Sequence, residues 1–259
     1  MRIVLIGAGR LACNLGPVLC KAGYELSAIY SRHLASALRL QKECKCPYVT
    51  CNMGDLPKEA DMFIIAVKDD ALEDVIRQVT VGRENQLFVH TAGSMPLSLF
   101  EGYCRHYGVF YPMQTFSYEQ RVDFNSIPLF LEADSSETMC TLQLLAKGIS
   151  NSIYSLTTEE RKYLHMAAVF ACNFSNHCYA LAADILKQVG LSFDIMLPLI
   201  EQTVHKVHEL SPAAGQTGPA VRNDMKVMKM QHELLADYPT MQRIYDLLSA
   251  SIYEKAIKQ

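Results

Sequence analysis

Arg2-Ile3-Val4-Leu5-Ile6-Gly7-Ala8-Gly9-Arg10-Leu11-Ala12 decides the fold. The apolar run is too short for a helix before two glycines interrupt it, so it reads as a buried strand. Gly7 permits a tight turn, and Gly9 removes the side chain that would hold a pyrophosphate away from the backbone. Ala12 is small enough for the following helix to pack on its strand, and the open helix start favours an anion. A G-x-G-x-x-A pattern at a strand-to-helix junction predicts a Rossmann-type, mostly parallel sheet, with Gly7, Gly9, Arg10 and Leu11 against the phosphates of a dinucleotide.

The next strand, residues 26–30, ends in Ser31-Arg32-His33. An NAD site usually places Asp or Glu there to accept from the ribose 2′-hydroxyl. A hydroxyl and a guanidinium suit a 2′-phosphate instead, so the expected cofactor is NADP(H), with Arg10 adding charge. In the blander reading Ser31 caps a helix and Arg32 is solvated.

Strand and helix signals alternate outward from this unit. Further strands are expected at 47–50, 61–67, 86–90, 108–111, 127–131 and 152–156, with helices over 71–79 and 136–146. From Thr157 the reading is all helix. Thr157-Thr158-Glu159-Glu160 forms a capping box, and one helix is expected from there to Val189, followed by stretches at 194–210, 219–235 and 240–258. This divides the chain into an α/β domain, 1–154, and a helical domain, 155–259. The chain has 259 residues, is half hydrophobic, one fifth charged and carries a net charge of −3. That composition argues against a nucleic-acid binder, and no apolar stretch is long enough to span a membrane. No signal peptide is read, and nine cysteines without a framework suit a reducing cytoplasm.

Ligands of open α/β sheets sit beyond the carboxyl ends of the strands. That rule selects Ala66-Val67-Lys68 for the middle of the cofactor and Thr91-Ala92-Gly93-Ser94 for its nicotinamide end, with Ala92 and Gly93 as cofactor residues. Ser94 is either a substrate-holding hydroxyl or a turn serine capping a helix near Pro96. At roughly 100° per residue, Lys162, His165, Asn173 and Asn176 share one quarter of the expected long helix. His165 is the candidate proton donor and Asn173 the group orienting a carbonyl or imine, against the alternative of a satisfied core or interface histidine. Thr217-Gly218-Pro219 followed by Arg222 reads as a helix start able to grip a carboxylate, or as a loop with an Arg222–Asp224 contact. Glu201, His205 and His208 share a helix face without a fourth ligand, and Cys44, Cys46 and Cys51 match no zinc spacing, so no metal is expected.

Taken together, Gly7-x-Gly9, Ser31-Arg32, His90-Thr91-Ala92-Gly93-Ser94, Tyr111-Pro112-Met113-Gln114-Thr115-Phe116, His165-Met166-Ala167-Ala168 with Asn173, Pro198-Leu199 with Thr203, and Thr217-Gly218-Pro219 with Arg222 and Asp224 carry a resemblance over nearly the whole chain. The chain resembles the Rossmann-like proteins with a C-terminal DUF2520 domain, relatives of pyrroline-5-carboxylate reductase, the F420-dependent NADP reductases and the β-hydroxyacid dehydrogenases. The resemblance implies NADP binding, a 6-phosphogluconate-dehydrogenase-like helical domain and a homodimer built on that domain. It departs from the β-hydroxyacid dehydrogenases in one respect: His165 takes the place of their catalytic lysine, and Val169 the place of their following asparagine. The expected function is therefore an NADP-dependent oxidoreductase moving hydride to or from a small carbonyl, hydroxyl or imine compound carrying an acid group. Ser94, His165, Asn173 and Arg222 would serve the substrate. The alternative is a non-catalytic NADP(H)-binding redox regulator or partner protein.

Overall fold

In the computed structural model, which describes residues 1–258, the apolar runs pair as one eight-stranded sheet. Its strands are β1 (Arg2–Ile6), β2 (Glu25–Tyr30), β3 (Val49–Thr50), β4 (Met62–Ile65), β5 (Leu87–His90), β6 (His106–Pro112), β7 (Leu129–Ala133) and β8 (Ile153–Ser155). Their spatial order is β3-β2-β1-β4-β5-β6-β7-β8. All neighbouring pairs are parallel except β6 with β7, which run antiparallel. The strand order reverses direction between β1 and β4, which opens the ligand crevice at their carboxyl ends.

Period-two alternation sends Ile3 and Leu5 to one face of the sheet and Val4 and Ile6 to the other, and each pair is fully buried. Helices α1 (Arg10–Lys21), α2 (Leu34–Cys44) and α4 (Ser136–Lys147) supply Leu15, Leu19, Leu40 and Leu142 to the first layer. Helix α3 (Asp69–Val79) supplies Leu72 and Ile76 to the second, where Phe63 and Phe88 stack at 4.8 Å. With helices on both faces, β4 is buried along its whole length, which is why it reads as a continuous apolar run.

Beyond the sheet lie α5 (Thr158–Ala168), α6 (Ser175–Gln188), α7 (Leu197–Glu209), α8 (Met225–Glu233) and α9 (Pro239–Ala256). The capping box forms: Thr157 accepts from the Glu160 N–H while the Glu160 carboxylate accepts from the Thr157 N–H. Two helical expectations need correction. The stretch expected to be one helix to Val189 is interrupted by a π-helical segment, Val169–Phe174. Its wider turns break the period on which a common stripe of Lys162, His165, Asn173 and Asn176 depends. No helix starts at Pro219; residues 219–223 are turns, Asn223 has φ 53°, and Asp224 caps α8 by accepting from the Val227 N–H.

By packing, the chain divides into two compact units, Met1–Cys172 and the residues from Asn173 on. The first therefore contains the sheet together with α5. Among the described residues no helix is long and apolar enough to cross a membrane, and all nine cysteines are free thiols.

Candidate functional site

The glycine turn is built by close approach. Gly7 has φ 113°, and a side chain there would place Cβ 2.2 Å from the Ala66 carbonyl oxygen. Its N–H donates to Tyr30 O at 2.8 Å, tying the ends of β1 and β2 together. Gly9 differs. A Cβ at Gly9 would meet nothing within 4 Å, and Gly9 is the N-cap of α1 with no side-chain cap and no acid in the first turn. The helix start thus has no side-chain cap and has open space beside Gly9, which fits a bound pyrophosphate.

Around this turn the expected cofactor residues fall into two groups. Arg10 and Arg32 are exposed, while Ser31 is buried and its Oγ accepts from the His33 N–H at 3.3 Å. The Arg10 guanidinium lies 5.9 Å from the centre of the Tyr118 ring, against which Arg39 also packs at 4.3 Å. Ala66 and Thr91 are held at the strand ends: the Ala66 N–H donates to Ile6 O at 2.7 Å and the Thr91 N–H to Ile65 O at 3.2 Å. Lys68 is exposed as the N-cap of α3. Ser94 does not cap a helix near Pro96; its hydroxyl donates to the Asp69 carboxylate.

The second centre lies on the same carboxyl edge, after β5 and β6. Tyr111 Oη and His165 Nδ1 are 3.1 Å apart. Gly93 makes that meeting possible, since a Cβ on it would come within 2.6 Å of His165 Nδ1 and 2.8 Å of Tyr111 Cζ. Burial raises the Tyr111 phenol above its ordinary range, partly offset by the nearby Arg161 cation. A phenol that keeps its proton is able to donate to Nδ1 of a neutral imidazole, an arrangement that leaves the remaining ring proton on Nε2.

Behind the pair, Arg161 is only 1% exposed. Its Nη1 donates to the carbonyls of Ala92 at 2.9 Å, Gly93 at 3.0 Å and Met95 at 2.7 Å. Its Nη2 donates to the Glu132 carboxylate at 2.8 Å. His90, fully buried at the end of β5, accepts from the Ala92 N–H at Nδ1. Burial, reinforced by the Arg161 charge, holds its pKa down at about 3.

The structure therefore brings His165, Gly93 and the Ala92 backbone together and adds Tyr111, Arg161 and Glu132, which sequence reasoning did not assign to the site. Tyr111 had a usable signal, as it stands at the carboxyl end of a strand. Arg161 had none: nothing in an amphipathic helix distinguishes a buried arginine from a solvated one. Lys162 pairs with Glu159 at 2.7 Å on the solvent side. Asn173 lies in the π-helical segment and Arg222 in an exposed turn, both in the second unit. The Arg222–Asp224 contact does not form among the described ion pairs, because Asp224 is engaged as the α8 cap.

Comparisons with known proteins bear on the whole chain. A Rossmann-like domain profile matches residues 1–107, and the domain of unknown function DUF2520 matches residues 127–252. None of the curated proteins matches the sequence. A crystal structure from Bacteroides fragilis, provisionally named an NADP oxidoreductase, is 49% identical, with 98% of each chain covered and a TM-score of 0.93. An imine reductase of Streptomyces aurantiacus shares the fold at 11% identity and TM-score 0.68, covering 100% of this chain and 99% of its own. A pyrroline-5-carboxylate reductase of Coxiella burnetii does so at 15% identity and TM-score 0.60, covering 99% and 97%.

Proposed function

The chain belongs to the Rossmann-like proteins with a C-terminal DUF2520 domain, and we propose that it is an NADP-dependent oxidoreductase acting on a small carbonyl, hydroxyl or imine compound. One observation carries this reading: an uncapped glycine turn and a His165–Tyr111 pair stand on the same carboxyl edge of one sheet. The name of the Bacteroides fragilis relative supports NADP, and the Ser31-Arg32 sequence supports it independently.

Gly7, Gly9, Arg10 and Leu11 would hold the phosphates of NADPH, with Ser31 and Arg32 at its 2′-phosphate, and the bound cofactor would supply hydride. The backbone of Ala66-Val67-Lys68 and Ala92-Gly93 borders the remainder of the cofactor. His165 supplies the proton: with Nδ1 accepting from the Tyr111 phenol, Nε2–H donates to the oxygen or nitrogen of the substrate double bond as the neighbouring carbon is reduced. Tyr111 balances the charge: its phenol proton passes to Nδ1 as the Nε2 proton leaves, so no imidazolate forms, and solvent then reprotonates the phenoxide. Ser94, oriented by Asp69, is assigned to hold the reacting group. The free thiols suit a cytoplasmic site of action.

A homodimer formed through the helical unit belongs to the same proposal. Among the described residues from Asn173 on, only Ala220, Leu235 and Ser249 are buried, whereas Val189, Leu199, Leu234 and Leu247 are each more than 60% exposed. A helical unit with so little interior needs a partner surface.

Titration with NADPH and NADH, followed by nicotinamide fluorescence, tests the cofactor assignment. Arg32→Ala removes one charge-assisted contact of about 1.5–3 kcal/mol and is expected to weaken NADPH roughly ten- to a hundredfold while leaving NADH nearly unchanged. Absence of binding by either nucleotide would sink the reading.

A further inference from the structure

A buried guanidinium is expensive unless its donors are paired, so the partners of Arg161 show what it is for. Three of them are carbonyls of a single turn, Ala92, Gly93 and Met95, all served by one nitrogen. The other terminal nitrogen, Nη2, meets Glu132 on β7, whose carboxylate also accepts the Thr158 N–H at 2.7 Å, and only Nε is left without a partner. This turn contains the glycine against which His165 and Tyr111 close. Arg161 also precedes His165 by four residues on α5, so the two side chains leave the same helix face, one above the other. The strand carrying Tyr111 pairs with the strand carrying Glu132, with Tyr111 opposite Phe130. One ion pair thus ties the β5 turn, the β6–β7 pair and α5, the three elements that together fix the histidine.

We infer that Arg161, with Glu132, is the positioning residue of His165: it locks the Ala92–Met95 turn to α5, so that the imidazole stays within hydrogen-bond reach of Tyr111 and presents a single tautomer. Arg161 touches neither reacting group and acts through the backbone it holds. The inference rests on the reading of His165 as the proton donor, but its test does not require a known substrate.

The test is the 15N spectrum of histidine-labelled full-length protein at mildly alkaline pH. The His165 signals are assigned among the eight histidines by their loss in His165→Gln. The wild type is expected to show an Nε2–H tautomer alone. Arg161→Met is expected to lose that signature and show averaged tautomers, with Arg161→Lys and Glu132→Gln intermediate. A residue of merely structural importance would lower stability without moving the tautomer of a folded protein. Should Arg161→Met not fold, Arg161→Lys and Glu132→Gln decide: averaging in them supports the inference, and a wild-type tautomer in both overturns it. A wild type without a fixed tautomer overturns it as well. NADPH fluorescence on the same samples keeps the two readings apart, because failure of the wild type to bind NADPH removes the oxidoreductase proposal and leaves the tautomer result standing.

Discussion

His90 carries a pH dependence that can be read in stability. Its imidazole has an ordinary pKa of 6.5 and is held at about 3 in the folded chain, first by burial and then by the Arg161 charge. Between those values the unfolded chain takes up a proton that the folded chain refuses. Stability is therefore complete above about pH 6.5 and falls as the pH drops toward 3, at up to ~1.4 kcal/mol per pH unit. Urea denaturation of the wild type and His90→Gln at about pH 7 and about pH 5 checks this: the wild type is expected to lose more stability on acidification than the variant, and equal losses would refute the assignment. At this scale the sequence was legible where a residue has only one physical excuse. Gly7 is such a residue, because its positive φ and the Ala66 carbonyl leave no room for a side chain. Gly93 was placed with the cofactor, yet the contact that constrains it joins residues 54 positions apart in sequence, Tyr111 and His165, and no local pattern encodes that meeting.

Elements with a single burial environment were easy to recognise, and those whose geometry depends on competing caps were not. The strands of the parallel sheet are continuous apolar runs because both of their faces are covered, and every expected strand is present within a few residues. The start of α8 was misplaced because Pro219 is a good first helical residue, yet the Asp224 side chain captures the Val227 N–H and starts the helix six residues later. The π-helical turn at Val169–Phe174 has no sequence signature, since a 3.6-residue period looks the same on either side of one widened turn. The junction of β1 and α1 gives the sharpest test of an element. Gly7→Ala forces a side chain onto a positive-φ backbone and into the Ala66 carbonyl, so the end of β1 must move away from β4. We expect a loss of at least about 2 kcal/mol in thermal or urea unfolding, together with loss of NADPH fluorescence enhancement. A variant that keeps wild-type stability and binding would show that the turn tolerates what its geometry forbids.

For the molecule as a whole, the two units differ in how they hold themselves together. The unit ending at Cys172 has a closed interior on both faces of its sheet. The unit from Asn173 on buries almost nothing completely and exposes Ile185, Val189, Leu191, Ile195, Leu199, Val204, Val207, Leu234 and Leu247. Hydrophobic exposure on that scale is unfavourable for an isolated chain in water, and a second copy of the same surface is the partner always at hand, since a two-fold interface pairs a patch with itself. Sedimentation velocity at micromolar protein is therefore expected to give a dimer. Replacing Leu199 and Leu247, 63% and 71% exposed, by Asp tests whether these side chains are covered in it. Burying a leucine contributes about 1.5–3 kcal/mol, so each residue inside the interface should raise the dissociation constant at least about tenfold on replacement. Because neither residue is buried within the chain, the variants should retain the NADPH affinity and secondary structure of the wild type. Dissociation of Leu199→Asp alone would assign the interface to the α7 face, and dissociation of Leu247→Asp alone to the α9 face. A wild-type protein that sediments as a monomer throughout the micromolar range would overturn the dimer, and the exposed helical faces would then need a different partner.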